Sequence, residues 1–168
     1  MGKNGRNAQT LLLTCLVLAL LWGCGVTKKE VAPPEPWPEA PQDKTCRSVV
    51  RTAMDMIGAP YRYGGEKPTG FDCSGLTTYI FSRHGYELPR RAQDQLQAGR
   101  WAPRGNLRPG DLVFFKISSQ QGWHVGLYIG GDLFIHAPGV GKRVEVQSLS
   151  HKYYRRSYYT ARRILDGC

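Results

Sequence analysis

The chain has 168 residues, a formal net charge of +10 and a hydrophobic content of 41%. This length allows one ordinary folded domain with a short appendage, and the hydrophobic content is enough for a packed core. The charge favours a partner rich in anions, such as anionic lipid or a carboxylate-bearing polymer, whereas nucleic acid is not expected because the basic residues are scattered and no RNA-binding aromatic motif is present.

Residues 1–23 have the pattern of a secretory signal peptide. Lys3 and Arg6 provide a positively charged start, and an apolar stretch follows at 11–21. This stretch is shorter than the roughly 20 apolar residues that a membrane-spanning helix needs. We therefore predict that residues 1–23 are removed during export.

The four residues 21–24, Leu-Trp-Gly-Cys, resemble the lipobox at which bacterial lipoproteins are cleaved and acylated. Leu21 and Gly23 fit that pattern, whereas Trp22 is bulky at a position that is usually small or aliphatic. From this pattern we expect Cys24 to carry the lipid. Two or more acyl chains would hold the protein on a membrane essentially permanently. An ordinary secretory signal that is cleaved elsewhere is the alternative.

Residues 24–44 are predicted to form an extended tether between this anchor and the folded body. Proline cannot continue a helix and lacks the N–H that a sheet needs, so its density here favours a semi-rigid, extended chain. The prolines of the stretch are Pro33, Pro34, Pro36, Pro38 and Pro41. Such a tether would carry the folded body away from the membrane surface.

The folded domain is predicted to span residues 45–168 and to begin with helices. The first predicted helix ends at Gly58, the second begins at or just before Cys73 and stops near Gly85, and the third covers 92–98. The apolar face of the first helix is made of Val49, Val50, Ala53, Met54 and Ile57.

The second half of the domain changes to the two-residue period of strands. Predicted strands cover 111–115, 124–129, 133–137, 143–146 and 158–164. Helices followed by an antiparallel meander are typical of the α+β class, with the helices packed on one face of the sheet.

Cys73 is the candidate nucleophile. At a helix N-terminus, unpaired N–H groups and the helix dipole favour the thiolate, which is the reactive form of cysteine. A lone cysteine is more often a buried apolar residue, so the role requires a general base within reach. His124 is the candidate base, and His136 is the candidate residue that orients its ring. The backbone N–H of Cys73 and the hydroxyl of Tyr63 are the candidates for stabilising an oxyanion.

His124 and His136 can act together only if they project from the same face of the hairpin that carries them. A two-residue turn at Gly130 and Gly131 would put them on opposite faces, whereas an odd-length loop would put them on the same face. A zinc site made of Cys73 and the two histidines is an alternative, but the sequence lacks a closely spaced pair of ligands. We therefore expect no metal and no cofactor.

Five characteristic sequence blocks follow one another through the predicted domain. They cover residues 60–65, 71–76, 107–115, 124–130 and 134–137. Together they resemble the NlpC-type family of bacterial cell-wall cysteine peptidases, which has a compact papain-like α+β fold. The resemblance implies Cys73, His124 and His136 as the catalytic set, with Tyr63 beside the oxyanion.

The same resemblance suggests which residues receive the substrate. In related enzymes the residues that flank the cysteine, here Asp72 and Ser74, help to receive the peptide. Arg91 departs from the family pattern, which often has Thr or Ser at this position. The resemblance therefore does not specify the contacts of the nearby groove.

The resemblance implies that the partner of this chain is the stem peptide of peptidoglycan. Two bonds are candidates: the γ-D-glutamyl–diaminopimelate bond within a stem and the D-alanyl–diaminopimelate cross-link between stems. A non-catalytic wall-binding lipoprotein, or a Cys-His amidase or acyltransferase of the same fold, is the alternative function. A binding protein needs no nucleophile with its base, so the complete set of Cys73, His124 and His136 argues against the binding-only alternative.

Two of the five cysteines remain if Cys15 is removed with the signal peptide, Cys24 is acylated and Cys73 is catalytic. Outside the cytoplasm Cys46 and Cys168 can pair, and we treat a disulfide between them as a hypothesis. The residue after Cys24 is Gly25, not the aspartate that resembles an inner-membrane retention signal. The expected location is the cell envelope; if Cys24 is acylated in a bacterium with two membranes, we expect the lipid in the outer membrane and the folded body facing the periplasm.

Overall fold

The computed structural model describes residue 41 and residues 43–118 and 122–168. The predicted signal peptide at 1–23, the predicted acylation site at Cys24 and nearly all of the predicted tether lie outside the described residues. None of the helices in the described part of the chain has both the length and the apolar composition of a membrane span.

Helix α1 spans Lys44–Asp55 and begins at a side-chain cap. The carboxylate of Asp43 accepts hydrogen bonds from two N–H groups of the first turn, at 2.8 and 3.0 Å, which satisfies donors that a helix leaves free. The prediction for Ile57 is wrong, because the helix ends before it and the chain turns at Gly58, so that this side chain is 39% exposed. The buried residues of α1 are Cys46, Val49, Val50 and Ala53.

Helix α2 spans Cys73–Ser82 and carries the candidate nucleophile at its first position, as predicted. Asp72 caps the helix by accepting a hydrogen bond from the N–H of Gly75 at 2.7 Å. The inner face of α2 packs into the core through its fully buried apolar side chains, and this packing fixes where the helix N-terminus lies. These side chains are Leu76, Ile80 and Phe81.

Helix α3 spans only Ala92–Gln95, whereas the sequence predicted a helix over 92–98. Residues 97 and 98 donate to carbonyls three positions earlier, so the chain continues as tight turns instead of an α-helix. The buried amide of Gln95 donates to the carbonyl of Ser74 at 3.2 Å and accepts from the hydroxyl of Thr77 at 2.8 Å. These bonds hold α3 against α2.

Six strands form one antiparallel sheet in the order β3-β8-β4-β5-β6-β7. They are β3 (Arg100–Trp101), β4 (Leu112–Ser118), β5 (Gly122–Gly130), β6 (Leu133–His136), β7 (Glu145–Ser148) and β8 (Tyr158–Arg163). A small hairpin precedes α2, made of β1 (Glu66–Lys67) and β2 (Gly70–Phe71). The five predicted strands are all present, with ends that differ by a few residues. The α+β prediction is confirmed.

Both faces of the sheet are covered, although the sequence predicted helices on one face only. Successive residues of β4 alternate between two cores: Phe114 joins the core beneath α1, α2 and α3, and Phe115 joins a second core on the opposite face. Helix α4, Lys152–Ser157, covers this second core. It has a single buried residue, Tyr154, so its sequence carries no apolar periodicity that would predict a helix.

Two links tie the C-terminal segment to the rest of the fold. The carboxylate of Asp111 accepts two hydrogen bonds from the guanidinium of Arg163, both at 2.7 Å, and both side chains are buried. Cys46 of α1 and Cys168 form a disulfide, as hypothesised from the sequence. The end of the chain is therefore held against the first helix.

Candidate active site

The loop that precedes α2 lies against the first turn of the helix, and glycine makes this approach possible. A Cβ atom at Gly75 would lie 2.0 Å from the carbonyl oxygen of Gly65. That carbonyl accepts a hydrogen bond from the N–H of Asp72 at 3.1 Å, and the Asp72 carboxylate accepts one from the N–H of Gly64 at 2.9 Å. The loop is thus fastened at two points, which fixes Cys73 at the tip of α2.

Cys73 is a free cysteine with a partly exposed side chain. Burial raises the pKa of its thiol, and the charge of Asp72 raises it further, while the backbone N–H groups of Val125, Ser74 and Cys73 itself lower it. The helix N-terminus alone favours a thiolate, but burial outweighs that contribution. The resting sulfur is therefore a neutral thiol at neutral pH, which corrects the expectation from the sequence.

His124 and His136 lie on the same face of the β5–β6 hairpin, with Nε2 of His124 2.8 Å from Nδ1 of His136. The turn between the strands has two residues, Gly131 and Asp132, and such a turn alone would place the imidazoles on opposite faces. A β-bulge in β5 adds one residue, Ile129, and restores the shared face. The two histidines meet through a bulge, not through an odd-length loop.

Close packing behind the hairpin holds the second imidazole in place. A Cβ atom at Gly126 would lie 3.2 Å from the Cβ atom of His136 and 2.6 Å from the ring of Phe134. The ring centroids of Phe134 and Tyr154 lie 4.9 and 5.2 Å from that of His136. His136 is fully buried, so its ring has little freedom to reorient.

Both imidazoles are neutral at neutral pH. Burial lowers the pKa of His124 to about 4. Burial also lowers the pKa of His136 well below its ordinary range, with smaller contributions from the charges of His124 and Lys142. Each ring therefore carries one proton, and each can donate one hydrogen bond and accept another.

The hydrogen bonds of the two rings favour one arrangement of those protons. Nε2 of His136 lies 3.4 Å from the hydroxyl of Tyr154 and 3.7 Å from a carboxylate oxygen of Glu145. A proton on this nitrogen therefore has acceptors, which leaves Nδ1 of His136 to accept from Nε2 of His124. Nδ1 of His124 is then the basic nitrogen that remains for the thiol of Cys73.

Cys73 and His124 line one open cavity of about 900 Å³, and His136 is buried behind it. Tyr61 and Tyr63 line the same cavity. The structure therefore brings the predicted nucleophile and base to a single cleft.

Two tyrosines of the loop, Tyr61 and Tyr63, are candidates for the oxyanion donor, a role that the sequence analysis gave to Tyr63. The Tyr63 side chain is 89% exposed, which leaves little to hold its hydroxyl in one position. Tyr61 is half-buried, and its pKa is raised first by burial and then by the charges of Cys73 and Asp72. This geometry favours Tyr61 over Tyr63 as a side-chain donor near the sulfur. Sequence reasoning missed Tyr61, because the two lie two positions apart in one extended segment and share its pattern.

Arg90 occupies the acidic side of the cleft. Its guanidinium donates to the carboxylate of Asp72 at 2.6 and 3.0 Å and to the hydroxyl of Ser74 at 3.1 Å, and it pairs with Glu66. Burial raises the pKa of Asp72, but the hydrogen bonds from Arg90 and from two backbone N–H groups outweigh burial and hold the pKa below its ordinary value. Sequence reasoning did not single out Arg90. Asp72 and Ser74 line the cleft, and their role in receiving a peptide stays a prediction.

The other two histidines lie away from the cleft. Nε2 of His84 is 2.9 Å from the hydroxyl of Thr52, a contact that joins the end of α2 to α1. His151 is exposed and precedes α4. Among residues 43–118 and 122–168, no group of three or more His, Cys, Asp or Glu side chains is placed to hold a metal ion.

Comparison with known proteins connects this site to a family. The model of the NlpC/P60 family matches residues 58–163. The chain is 39% identical over 160 residues to the probable endopeptidase NlpC of Escherichia coli (strain K12), a match that covers 92% of this chain and 97% of that protein. It is 42% identical over 113 residues to the murein DD-endopeptidase MepS/murein LD-carboxypeptidase of the same strain, with 67% of this chain and 59% of that protein covered.

The fold is also similar to that of solved structures. The crystal structure of an NlpC/P60 family protein from Bacillus cereus ATCC 10987 matches with a TM-score of 0.68 and 34% identity, covering 77% of this chain and 43% of that one. The chain spans about half the length of several curated relatives, between 43% and 59%.

Proposed function

The chain belongs to the NlpC/P60 family, and we propose that it is a cysteine endopeptidase that cleaves the stem peptides of bacterial peptidoglycan. One observation carries the proposal: the thiol of Cys73 and the imidazole of His124 line one cleft, and His136 lies 2.8 Å behind that imidazole. The names of relatives that act on murein support the substrate class.

Attack on the substrate begins from the neutral pair. Nδ1 of His124 takes the proton of the Cys73 thiol as the sulfur attacks the carbonyl carbon of the scissile bond. The imidazolium that forms donates from Nε2 to Nδ1 of His136, and this hydrogen bond holds the ring in one orientation. His136 therefore acts on the reaction through His124.

The negative charge that develops on the carbonyl oxygen needs donors in the cleft. The N–H of Cys73 has no intrahelical acceptor, because it is at the first position of α2, so it is available to the oxyanion. We assign the second donor to the hydroxyl of Tyr61. Tyr63, on the exposed rim, is the alternative donor.

Collapse of the tetrahedral intermediate breaks the peptide bond and leaves a thioester on Cys73. The leaving amine takes its proton from Nδ1 of His124, which returns the imidazole to its neutral form. A water molecule then gives a proton to the same nitrogen and attacks the thioester. The acid product leaves as the sulfur recovers its proton, so the enzyme returns to its starting state.

We also propose that the protein works in the cell envelope, anchored by a lipid on Cys24 in the outer membrane with its folded body in the periplasm. The disulfide between Cys46 and Cys168 supports an oxidising compartment. The excess of basic over acidic residues, which persists without residues 1–23, suits a polymer rich in carboxylates. The proline-rich residues 24–44 would let the body reach that polymer from the membrane.

Digestion of purified sacculi tests the function. We expect the purified chain to release soluble muropeptides from sacculi, and the variant Cys73→Ala to release them at least about 1,000-fold more slowly, because the nucleophile is lost. Liquid chromatography with mass spectrometry measures the release, and product masses identify the bond that is cut. The unprocessed chain can be used in this assay, because every residue that we assign to the site lies within residues 43–168.

Three outcomes would contradict the assignment. Release of muropeptides by both proteins would mean that Cys73 is not the nucleophile. Release by neither, together with binding of both proteins to sacculi, would favour the non-catalytic wall-binding alternative. Transfer of the stem peptide to an added amine in place of water would identify an acyltransferase.

A further inference from the structure

A second groove lies beside the catalytic cleft and shares two lining residues with it. The groove has a volume of about 630 Å³ and is formed by α3 on one side and by strands β5 and β8 on the other. Gln93 and Trp123 line both the groove and the cleft. The groove and the cleft are therefore adjacent, and one extended ligand can contact both.

Two aromatic rings line this groove. Trp123 and Tyr159 are in contact, with ring centroids 4.7 Å apart and planes at 65°. Trp123 packs against the core on one side, whereas Tyr159 is 60% exposed. Aromatic side chains offer a flat apolar surface with a polar tip, which matches the C–H faces and hydroxyl groups of a pyranose ring.

Most of the remaining lining is polar. Gln93 and Asp94 are exposed on α3, and Gln97 is exposed in the turn that follows. The two amides can donate to a ligand and accept from it, and the carboxylate can accept. Arg162 also lines the groove, and its guanidinium can donate to carbonyl or hydroxyl oxygens of a ligand.

We propose that this groove binds the glycan strand of peptidoglycan, a polysaccharide of N-acetylated amino sugars, while the stem peptide attached to that strand occupies the cleft. The inference rests on the proposed function. Aromatic faces suit the sugar rings, and the amide and guanidinium groups suit their hydroxyl and acetamido groups. An apolar protein partner fits less well, because the lining is predominantly polar.

Substrates with and without glycan test the groove. The variant Tyr159→Ala removes an exposed side chain on β8 that is outside the cleft, and Tyr153→Ala is the control, since Tyr153 is an exposed tyrosine that does not line the groove. On disaccharide-linked, cross-linked muropeptides we expect Tyr159→Ala to lower kcat/KM about tenfold, through a higher KM. On the same cross-linked peptides freed of sugar, we expect Tyr159→Ala, Tyr153→Ala and the wild type to be equal within about twofold.

Direct binding separates this inference from the proposed function. Peptide-free glycan strands are titrated into the Cys73→Ala chain by calorimetry, and we expect binding that Tyr159→Ala weakens about tenfold and Tyr153→Ala leaves unchanged. Absence of such binding would overturn the groove assignment. An equal loss of activity on both peptide substrates would also overturn it, because the groove would then serve the peptide. If the wild type cuts neither substrate, the proposed function fails, and the titration alone decides whether the groove binds glycan.

Discussion

At the scale of single residues, the site holds its reactive groups uncharged until substrate arrives. Burial raises the pKa of the Cys73 thiol and lowers that of His124 to about 4, so neither group is ionised at neutral pH. A thiolate–imidazolium pair is thus not the resting state. The proton moves from sulfur to nitrogen only during attack, when the existing hydrogen bond to His136 and the charge of the developing oxyanion stabilise the imidazolium.

The oxyanion donor can be assigned by comparing the two tyrosines of the loop. We expect Tyr61→Phe to lower kcat about 100-fold on sacculi or muropeptides, because a preorganised donor to the oxyanion is lost. Tyr63→Phe removes the same atom from a side chain that is 89% exposed, and we expect it to change kcat no more than about twofold. Steady-state kinetics measures both, and the reverse order of effects would return the role to Tyr63.

At the scale of elements, the β5–β6 hairpin decides whether the site exists. Side chains alternate along a strand, so a single added residue exchanges the faces of every side chain beyond it. The bulge at Ile129 makes that exchange and brings His136 to the side of His124. Gly126 completes the arrangement, because any side chain there would collide with the ring of Phe134 and crowd His136.

Gly126→Ala tests this role of the hairpin. The added Cβ would lie 2.6 Å from the ring of Phe134 and 3.2 Å from His136 Cβ, so we expect a loss of about 1–3 kcal/mol in the free energy of unfolding. We also expect kcat to fall at least about tenfold, since small displacements of a catalytic ring are costly. Gly105→Ala is the matched control: no atom lies within 4 Å of its Cβ position, and neither quantity should change appreciably. A Gly126→Ala protein with wild-type kcat would contradict the argument. Denaturant unfolding and muropeptide kinetics measure the two effects.

At the scale of the whole molecule, the disulfide joins the first helix to the last residue of the chain. Cys46 and Cys168 are separated by 122 positions, so the bond closes nearly the entire described body into one loop. Closing a long loop restricts the unfolded chain strongly, which stabilises the folded state. Neither Cys46 nor Cys168 lines the cleft that contains Cys73 and His124, so we expect the bond to affect stability and not the chemistry.

Replacing both cysteines tests this division. We expect the double variant Cys46→Ser/Cys168→Ser to lose about 2–5 kcal/mol in free energy of unfolding, measured with denaturant under non-reducing conditions. Its kcat on muropeptides at 25 °C should stay within about twofold of the wild type, because Cys73 and the histidines keep their contacts. A reductant should destabilise the wild type and leave the variant unaffected. Equal stability of the two proteins without reductant would show that the bond contributes nothing.

The sequence by itself determined the class of fold, the position of Cys73 and the identity of the two histidines. These features are local or periodic: Asp72 followed by an apolar helical pattern specifies a capped helix start, and alternating apolar residues specify the strands around His124 and His136. The ends of α3, the existence of α4 and the place of Ile57 were not recoverable, because short elements and helix ends carry too little periodicity.

Only the tertiary structure decided how those residues meet. Whether His124 and His136 share a face of the hairpin depends on a bulge, and no single residue type predicts that bulge. The choice between Tyr61 and Tyr63 depends on which of them the fold buries. The protonation of Cys73 also reversed its expected direction, because burial is a property of the packed molecule and outweighs the helix N-terminus. The groove beside the cleft lies between α3 and the strands β5 and β8. These elements are distant in sequence and become neighbours only when the sheet and its helices pack together.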